Sequence, residues 1–273
     1  MPFLVVGTAG TVSTGAIDPL PKLAAICREY DLWFHVDGAY GALAAMLVDG
    51  GDVEVPADLR GIREADSVAV YPHKWLYAPL EAGCALVREP GLLRDAFSYH
   101  PPYYKFDDDV TATINYYEYG PQNSRGFRAL KVWLALRQAG REGYAGMISD
   151  DIQLAQELYR LVETQPELQV FTQGLSITTF RYVPPDLLPG SQESERYLNT
   201  LNAELLMRLQ KSGEAFISNA VIGEIFVLRA CIVNFRTSLE DIEALPGIVI
   251  RLGREVDAAI RPVEQNDEEK NTR

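Results

Sequence analysis

The chain has 273 residues, 47% of them hydrophobic and 23% charged, and its formal net charge is −13. Such an acidic surface repels phosphate backbones, so we do not expect nucleic acid as a partner. No stretch approaches the roughly 20 uncharged apolar residues that a membrane-spanning helix needs, and the first residues do not resemble an export signal. These features predict a cytoplasmic globular protein with one large domain or two smaller ones.

Four apolar runs near the amino terminus predict β-strands. The runs are continuous rather than alternating, which is typical of strands covered on both faces in a mainly parallel sheet. Between the first two runs, apolar residues recur at helical spacing after Asp18, which we expect to cap the helix. The region therefore predicts a β-α-β unit of the α/β class. The four runs are FLVV (3–6), LWFHV (32–36), SVAVY (67–71) and GCALV (83–87), the first of them expected to be fully buried.

The second half of the sequence predicts a smaller α+β domain. An amphipathic helix over 129–139 ends at Gly140, a residue type that often follows a helix. Further helices are predicted over 148–163 and 193–211, with strands near 168–171, 176–183 and 225–233. The predicted organisation is a large domain over 1–130, including a lid segment rich in aromatic residues over 97–126, a small α+β domain over 131–262, and a disordered tail over 263–273.

Two side chains stand at the ends of predicted strands in the way that ligand-binding residues do. Asp37 lies at the carboxyl end of the second strand, on the same face as His35, and Lys74 follows the end of the third strand. In open α/β sheets this edge binds ligands, and a carboxylate and an amine there could hold opposite ends of a flat cofactor. Taken alone, Asp37 is better explained as a turn or helix-cap residue, and Lys74 as a solvated loop lysine.

Together these residues fall in motifs that resemble a known family. The segments TAGTVSTGAIDP (8–19), HVDGAYG (35–41), ADSVAVYPHKWL (65–76) and LRACIVNFRT (228–237) resemble group II pyridoxal-5′-phosphate-dependent decarboxylases, which include aromatic-L-amino-acid and glutamate decarboxylases. The resemblance implies a fold-type I enzyme with pyridoxal 5′-phosphate as its cofactor, an amino acid as its substrate and a homodimeric state. It covers nearly the whole chain but corresponds only to the carboxyl-terminal portion of the family.

The resemblance also implies roles for the residues around the cofactor. Lys74 would form the Schiff base, and partial burial beside His73 and Trp75 would favour the neutral amine that this reaction needs. Asp37 would pair with the ring nitrogen of the cofactor, and Ala39 would pack against its ring face.

Three other residues of this predicted site have simpler alternatives. His73 would lie near the phosphate or the substrate carboxylate, or could instead be a structural residue at the Pro72 turn. Thr8 and Gly10, at the end of the first strand, would line the same edge, although turn formation alone could explain them. No metal site is predicted, because the three cysteines, Cys27, Cys84 and Cys231, are far apart.

Two further residues are implied to act on the substrate. Tyr103 matches the lid tyrosine that protonates Cα after CO2 has left, and related aldehyde synthases carry phenylalanine there. Arg229 could bind the substrate carboxylate through its planar guanidinium, or could form an ion pair within its own domain. Trp75, directly after the lysine, favours an aromatic or related substrate.

The sequence departs from the family pattern in three respects. Val12 replaces a threonine, Tyr71 stands where asparagine, serine or aspartate is usual, and the amino-terminal half of the family has no counterpart. That half supplies the histidine that stacks on the cofactor, the main phosphate-binding residues and much of the dimer interface. The leading hypothesis is decarboxylation of an L-amino acid. The alternatives are a catalytically incompetent fragment or assembly partner, and another carbon–carbon lyase of the same fold type.

Overall fold

The computed structural model describes residues 1–101 and 114–261, which form two compact units. Among the described residues, the first unit comprises Met1–Ser149 together with Val233–Phe235, and the second comprises Asp150–Ile232 and Arg236–Arg261. The division falls later than the expected one at 130/131 because helix α3 (Arg128–Glu163) contributes residues to both units. The predicted helix end at Gly140 is confirmed as a break inside α3, where the backbone leaves the helical region with φ 65°.

The first unit contains the predicted, mainly parallel sheet. Its order is β1 (Leu4–Thr8), β2 (Trp33–Asp37), β3 (Ser67–Val70) and β4 (Cys84–Val87). The first three strands are parallel neighbours, and β4 pairs antiparallel with β3. Helix α1 (Leu20–Glu29) connects β1 to β2. The α/β class predicted from the apolar runs is therefore confirmed.

Asp18 does not cap helix α1, contrary to expectation. The helix begins at Leu20 after Pro19, and no side chain caps its amino-terminal end. The Asp18 carboxylate instead accepts a hydrogen bond from the Thr8 backbone N–H at 2.7 Å, and the Asp18 N–H donates to the Thr8 carbonyl at 2.9 Å. The aspartate is therefore used to fix the end of β1 rather than the start of the helix.

The expectation that the first strand is fully buried is wrong. The side chains of Phe3 and Val6 are 79% and 50% exposed, whereas Gly7 is buried beneath Leu20 of α1. The physical reason is that α1 covers one face of β1, and no residue of the described ranges covers the other. On that open face, Phe3, Leu4, Trp33, His35 and Ser67 line a shallow depression. The Ser67 hydroxyl there contacts Trp33 Nε1 at 2.8 Å and His35 Nδ1 at 2.7 Å.

The expected lid segment is described only at its two ends. Helix α2 (Pro90–Phe97) leads into it, and a short 3-10 helix (Tyr116–Tyr119) follows it. The buried Glu118 carboxylate joins the two ends, with Arg94 Nε at 3.2 Å and His100 Nε2 at 2.6 Å. Tyr103 lies outside the described residues, as does the tail predicted over 263–273.

The second unit is the predicted α+β domain with two elements more than expected. Its antiparallel sheet has the order β5 (Leu168–Gly174), β6 (Ile177–Tyr182), β8 (Ile225–Cys231) and β7 (Ser218–Ile222). Helices α4 (Gln192–Ser212) and α5 (Leu239–Ile260) belong to the same unit. The two additional elements are β7, which pairs with β8 across a tight turn, and α5, where an internal proline argues against a helix in the sequence.

Among the described residues, no helix combines the length and the apolar character needed to cross a membrane.

Helix α5 packs so closely on the sheet of the second unit that a glycine is required. A Cβ atom built on Gly253 would lie 2.6 Å from the Tyr182 ring, and this tyrosine is almost fully buried. Gly247, on the same helix, is exposed and has nothing within 4 Å of such a Cβ.

We therefore expect opposite effects from two glycine substitutions in α5. Gly253→Ala forces the Tyr182 ring or the helix to move and lowers the free energy of unfolding by about 1–3 kcal/mol. Gly247→Ala raises it by about 0.5–1 kcal/mol, because alanine favours the helix. Denaturant titration followed by circular dichroism measures both. Equal effects of the two substitutions would contradict the packing described here.

A buried carboxylate gives the second unit a pH-dependent contact. Glu167 accepts hydrogen bonds from Arg254 Nε at 2.9 Å and Nη2 at 2.5 Å, and the Tyr182 hydroxyl lies 3.4 Å away. The bonds from Arg254 lower the pKa of Glu167 below its usual value of 4.5. The same environment raises the pKa of Tyr182, chiefly through burial of the phenol.

Because the pKa of Glu167 is lowered in the folded state, its contribution is present above the unfolded-state pKa and is lost as the pH falls through the folded value. Glu167→Gln should lower the free energy of unfolding by about 1–3 kcal/mol at neutral pH and reduce its fall below about pH 4.5. Unfolding titrations at several pH values measure this, with Glu243→Gln on the exposed side of α5 as the control. An unchanged acid slope in Glu167→Gln would be evidence against this contact.

Candidate active site

The carboxyl ends of the three parallel strands lie level at one edge of the first sheet. Thr8 is paired with Asp37, and Asp37 with Ala69. The pairing continues beyond the strand ends, since the Ala9 N–H donates to the Asp37 carbonyl at 2.8 Å and the Gly38 N–H to the Ala69 carbonyl at 3.1 Å. The loops that carry the sequence-predicted residues therefore start side by side.

Asp37 presents its carboxylate at this edge. The side chain is exposed, and its Oδ1 accepts a hydrogen bond from the Ala39 N–H at 3.2 Å. Asp37 makes no ion pair with any residue in 1–101 or 114–261. This backbone contact orients the carboxylate through one of its two oxygens. Ala39, two residues after Asp37, is half-buried at the same edge.

Gly10 lets the loops after β1 and β2 approach each other closely. Its φ of +93° is one that residues with a side chain rarely adopt. A Cβ atom there would lie 2.8 Å from Tyr40 Cδ1 and 3.1 Å from the Gly41 Cα. The Gly41 N–H in turn donates to the Ala9 carbonyl at 3.0 Å. Turn formation, the simpler explanation for Gly10, is therefore seen in the structure, and it is what shapes this part of the edge.

Lys74 is carried by a tight turn after β3. Its N–H donates to the Tyr71 carbonyl at 2.9 Å, and the Tyr77 N–H donates to the Lys74 carbonyl at 3.0 Å. The lysine is half-buried, and its Nζ lies 5.0 Å from the centroid of the Tyr71 ring. Lys74 therefore lies at the edge that the sequence predicts for it, and the ring of Tyr71, three residues earlier, lies near its amine.

Trp75 packs in the core of the first unit, a contact that the sequence did not predict. Its side chain is fully buried and packs on Tyr40, with ring centroids 4.6 Å apart and planes inclined by 30°. The reason is the tight turn, which directs consecutive side chains in different directions. In the sequence, Tyr71 stands out only as a departure from the family pattern. The sequence signal for this contact is an aromatic residue three positions before a lysine in a turn, a spacing that allows a cation–π interaction.

His73 has a structural contact of its own. Its Nδ1 lies 2.8 Å from the Ala82 carbonyl and 3.3 Å from the Ala82 N–H. The shorter contact is consistent with Nδ1–H as the donor, which leaves Nε2 to meet a ligand. The imidazole also lies against the Tyr71 ring, with centroids 5.3 Å apart. The structural alternative for His73 is thus observed, although its partner is Ala82 rather than the Pro72 turn.

The residues at this edge fit a flat aldehyde cofactor with a basic ring nitrogen and an anionic group. Lys74 supplies a primary amine, Asp37 a carboxylate that pairs with a protonated ring nitrogen, and Thr8 and His73 supply polar groups for the anion. Glycine and alanine at positions 10 and 39 keep side-chain volume away from the edge. In the described ranges, no group of three or more histidine, cysteine or acidic side chains is arranged to hold a metal ion.

Arg229 lies on β8 in the second unit, and only part of its guanidinium group is hydrogen-bonded within the described residues. Its Nη1 donates to the Ser218 hydroxyl at 3.0 Å across the β7–β8 pair, while its Nε is buried without a hydrogen-bond partner. The ion pair that the sequence left as an alternative is not seen with any carboxylate in the part of the chain that the structure describes. Tyr103, the other residue expected to act on the substrate, lies outside that part.

Comparison with known proteins identifies the family. Residues 1–183 match the pyridoxal-dependent decarboxylase conserved domain. The chain belongs to this family. An aromatic-L-amino-acid decarboxylase of Bacillus atrophaeus is 36% identical over 93% of this chain and 52% of the relative. A phenylacetaldehyde synthase of a Rosa hybrid cultivar is 31% identical over 85% of this chain and 45% of the relative. The chain therefore spans about half the length of the relatives it matches.

Solved structures of this decarboxylase family have the same fold. The Oryza sativa enzyme TDC, crystallised with PLP and tryptamine, superposes with a TM-score of 0.78 and 26% identity over 92% of this chain and 50% of its own. Mouse CSAD superposes with a TM-score of 0.81 and 28% identity over 93% of this chain and 52% of its own. The fold-type I architecture expected from the motifs is thereby confirmed.

The contact between His73 and Ala82 predicts a stability effect separate from catalysis. His73→Ala should lower the free energy of unfolding by about 1 kcal/mol, because the Ala82 carbonyl loses its donor. His73→Asn places an amide near the position of Nδ1 and should retain most of that stability. Denaturant titration of the cofactor-free chain measures both. Equal losses in the two variants would show that the Ala82 contact does not stabilise the turn.

Proposed function

We propose that this chain takes part in the pyridoxal-phosphate-dependent decarboxylation of an L-amino acid, with an aromatic or related substrate favoured. The observation that carries the proposal is the position of Lys74 and Asp37 at neighbouring strand ends of one sheet edge, in a chain of the pyridoxal-dependent decarboxylase family. The name of the bacterial relative, an aromatic-L-amino-acid decarboxylase, supports the substrate class. Trp75 supports it less than expected, because its side chain is buried against Tyr40.

The residues of the first unit would bind and orient the cofactor. When bound, pyridoxal phosphate supplies the electron sink that accepts the electron pair released as CO2 departs. Lys74 Nζ is the group that would hold its aldehyde carbon, and the Asp37 carboxylate would keep a proton on the ring nitrogen. Ala39 would lie against the ring face. Thr8 and His73 Nε2 would contact the anionic groups, and Gly10 would keep the edge open.

Two further residues would act on the substrate. Arg229 would bind the α-carboxylate, and its support is that no carboxylate of the described chain pairs with it while its Nε has no partner. Tyr103 would donate the proton that Cα receives after CO2 has left. A tyrosine rather than a phenylalanine at this position favours amine formation over the aldehyde synthesis that the name of the Rosa relative describes. A homodimer and a cytoplasmic location stay predictions.

The first test is covalent capture of the cofactor. The purified chain mixed with pyridoxal phosphate should develop a Schiff-base absorbance band. Lys74→Ala should abolish it, because the amine is lost, whereas Lys22→Ala on the exposed side of α1 should leave it unchanged. Asp37→Asn should keep the band but weaken cofactor binding about tenfold or more, because the charge opposite the ring nitrogen is lost. A wild-type chain without a band at saturating cofactor would refute autonomous cofactor binding.

The second test follows the product. A preparation that forms the band should release CO2 and the corresponding amine from an aromatic L-amino acid, and Tyr103→Phe should suppress the amine or divert it to the aldehyde. Arg229→Lys keeps the positive charge but loses the planar fork, and should raise KM more than it lowers kcat. Unchanged amine formation by Tyr103→Phe would remove this tyrosine from the mechanism.

A further inference from the structure

Tyr71 occupies the first position after β3, between the end of the strand and the lysine turn. Its side chain is 41% exposed, so packing in the core does not account for a large aromatic residue here. Its neighbour Pro72 is buried, as is Val70 before it. The ring is therefore directed to the sheet edge, where Lys74 and His73 also lie.

The backbone and the ring of Tyr71 both contact the lysine turn. The Tyr71 carbonyl accepts the Lys74 N–H at 2.9 Å, which closes the turn, and the Tyr71 ring centroid lies 5.0 Å from Lys74 Nζ. The His73 imidazole lies 5.3 Å from the same ring at an inclination of 34°. One side chain thus contacts both titratable groups that follow it.

A ring in this position attracts a lysine ammonium. The face of an aromatic ring carries partial negative charge, and a cation within about 6 Å of the centroid is held by it. Lys74 forms no ion pair with any residue of 1–101 or 114–261, and the contact with the Tyr71 ring stabilises its charge. Without the ring, the four-carbon side chain of a half-buried lysine would sample several rotamers.

We propose that Tyr71 is a positioning residue whose ring holds the Lys74 ammonium at the sheet edge and directs it toward the space above Asp37 and Ala39. The proposal rests on the proposed role of Lys74 as the cofactor lysine. The contact uses the ring face rather than the phenol hydroxyl. Tyr71→Phe should therefore preserve the function of the residue, and Tyr71→Leu should remove it.

The geometry can be tested without cofactor. Reductive 13C-methylation of the lysines keeps their charge, and the Lys74 methyl signal, assigned by its absence in Lys74→Arg, is read by NMR. In the wild type and in Tyr71→Phe, the ring should shift this signal upfield of those of the exposed Lys22 and Lys211. Tyr71→Leu should return it to their position. Tyr30→Leu, at an exposed tyrosine of the same unit, should have no effect.

Two rate measurements distinguish a ring that positions the Lys74 amine from a ring that only blocks access to it. A small acylating reagent can approach Lys74 from any direction, so release of the amine in Tyr71→Leu should speed its labelling by about two- to fivefold relative to Lys22. Pyridoxal phosphate must approach along the sheet edge, so the same variant should form the Schiff-base band about two- to fivefold more slowly. Tyr71→Phe should match the wild type in both rates.

The outcomes distinguish this proposal from the proposed function. If no band forms with the wild type, autonomous cofactor binding fails, and the NMR shift together with the labelling rates still decides whether the ring holds the lysine. The positioning role is overturned if Tyr71→Leu leaves the Lys74 signal and labelling rate unchanged. It is also overturned if Tyr71→Phe behaves like Tyr71→Leu, or if both rates change in the same direction when the band does form.

Discussion

The hydrogen bonds that extend the parallel sheet beyond the ends of its strands hold the candidate site together. The Ala9 N–H bonds to the Asp37 carbonyl, and the Gly38 N–H to the Ala69 carbonyl, so three successive strands end level. In a strand, neighbouring residues face opposite sides, and a shift of one residue in this pairing would turn the side chain of Asp37 away from its present face. The position of the carboxylate therefore depends on backbone pairing before it depends on any side-chain contact.

One aromatic side chain joins the loops that follow all three parallel strands. Tyr40 belongs to the loop after β2, lies in contact distance of Gly10 after β1, and packs on Trp75 after β3. Because Trp75 is fully buried in this contact, the tight turn leaves Tyr71 as the ring at the amine of Lys74. The tryptophan after the lysine thus stabilises the edge from within, and the tyrosine before it shapes the surface that a ligand would meet.

Arginines of the second unit differ in their partners, and the contrast bears on Arg229. Arg181, almost fully buried in β6, donates to Glu195 and to Gln169, and it lowers the pKa of Glu195 through those bonds. Arg254 satisfies the buried Glu167 in the same unit. Such paired arginines stabilise the fold, since a buried charge without a partner is costly. Arg229 has only the Ser218 hydroxyl in the described chain, which is the pattern of a guanidinium with capacity for a further anion.

The sequence by itself determined the α/β class, the positions of the first four strands, the break at Gly140 and the edge on which Asp37 and Lys74 lie. These follow from local features, since apolar runs, a helix-ending glycine and the position of a residue just after a strand can be read without knowledge of distant contacts. The family motifs added the cofactor chemistry to the same residues. Strand β7 and helix α5 escaped prediction because their local signals were weak or contradicted by a proline.

Only the tertiary structure decided which neighbours each of these residues has. Asp18 bonds to Thr8 instead of capping a helix, β1 has an uncovered face, and His73 bonds to Ala82. None of these contacts follows from local pattern, because each depends on where a partner from another segment comes to lie. The ring at Lys74 is the instructive case. Tyr71 and Trp75 are both close to the lysine in sequence, and it was the direction of a tight turn that placed one at its amine and the other in the core.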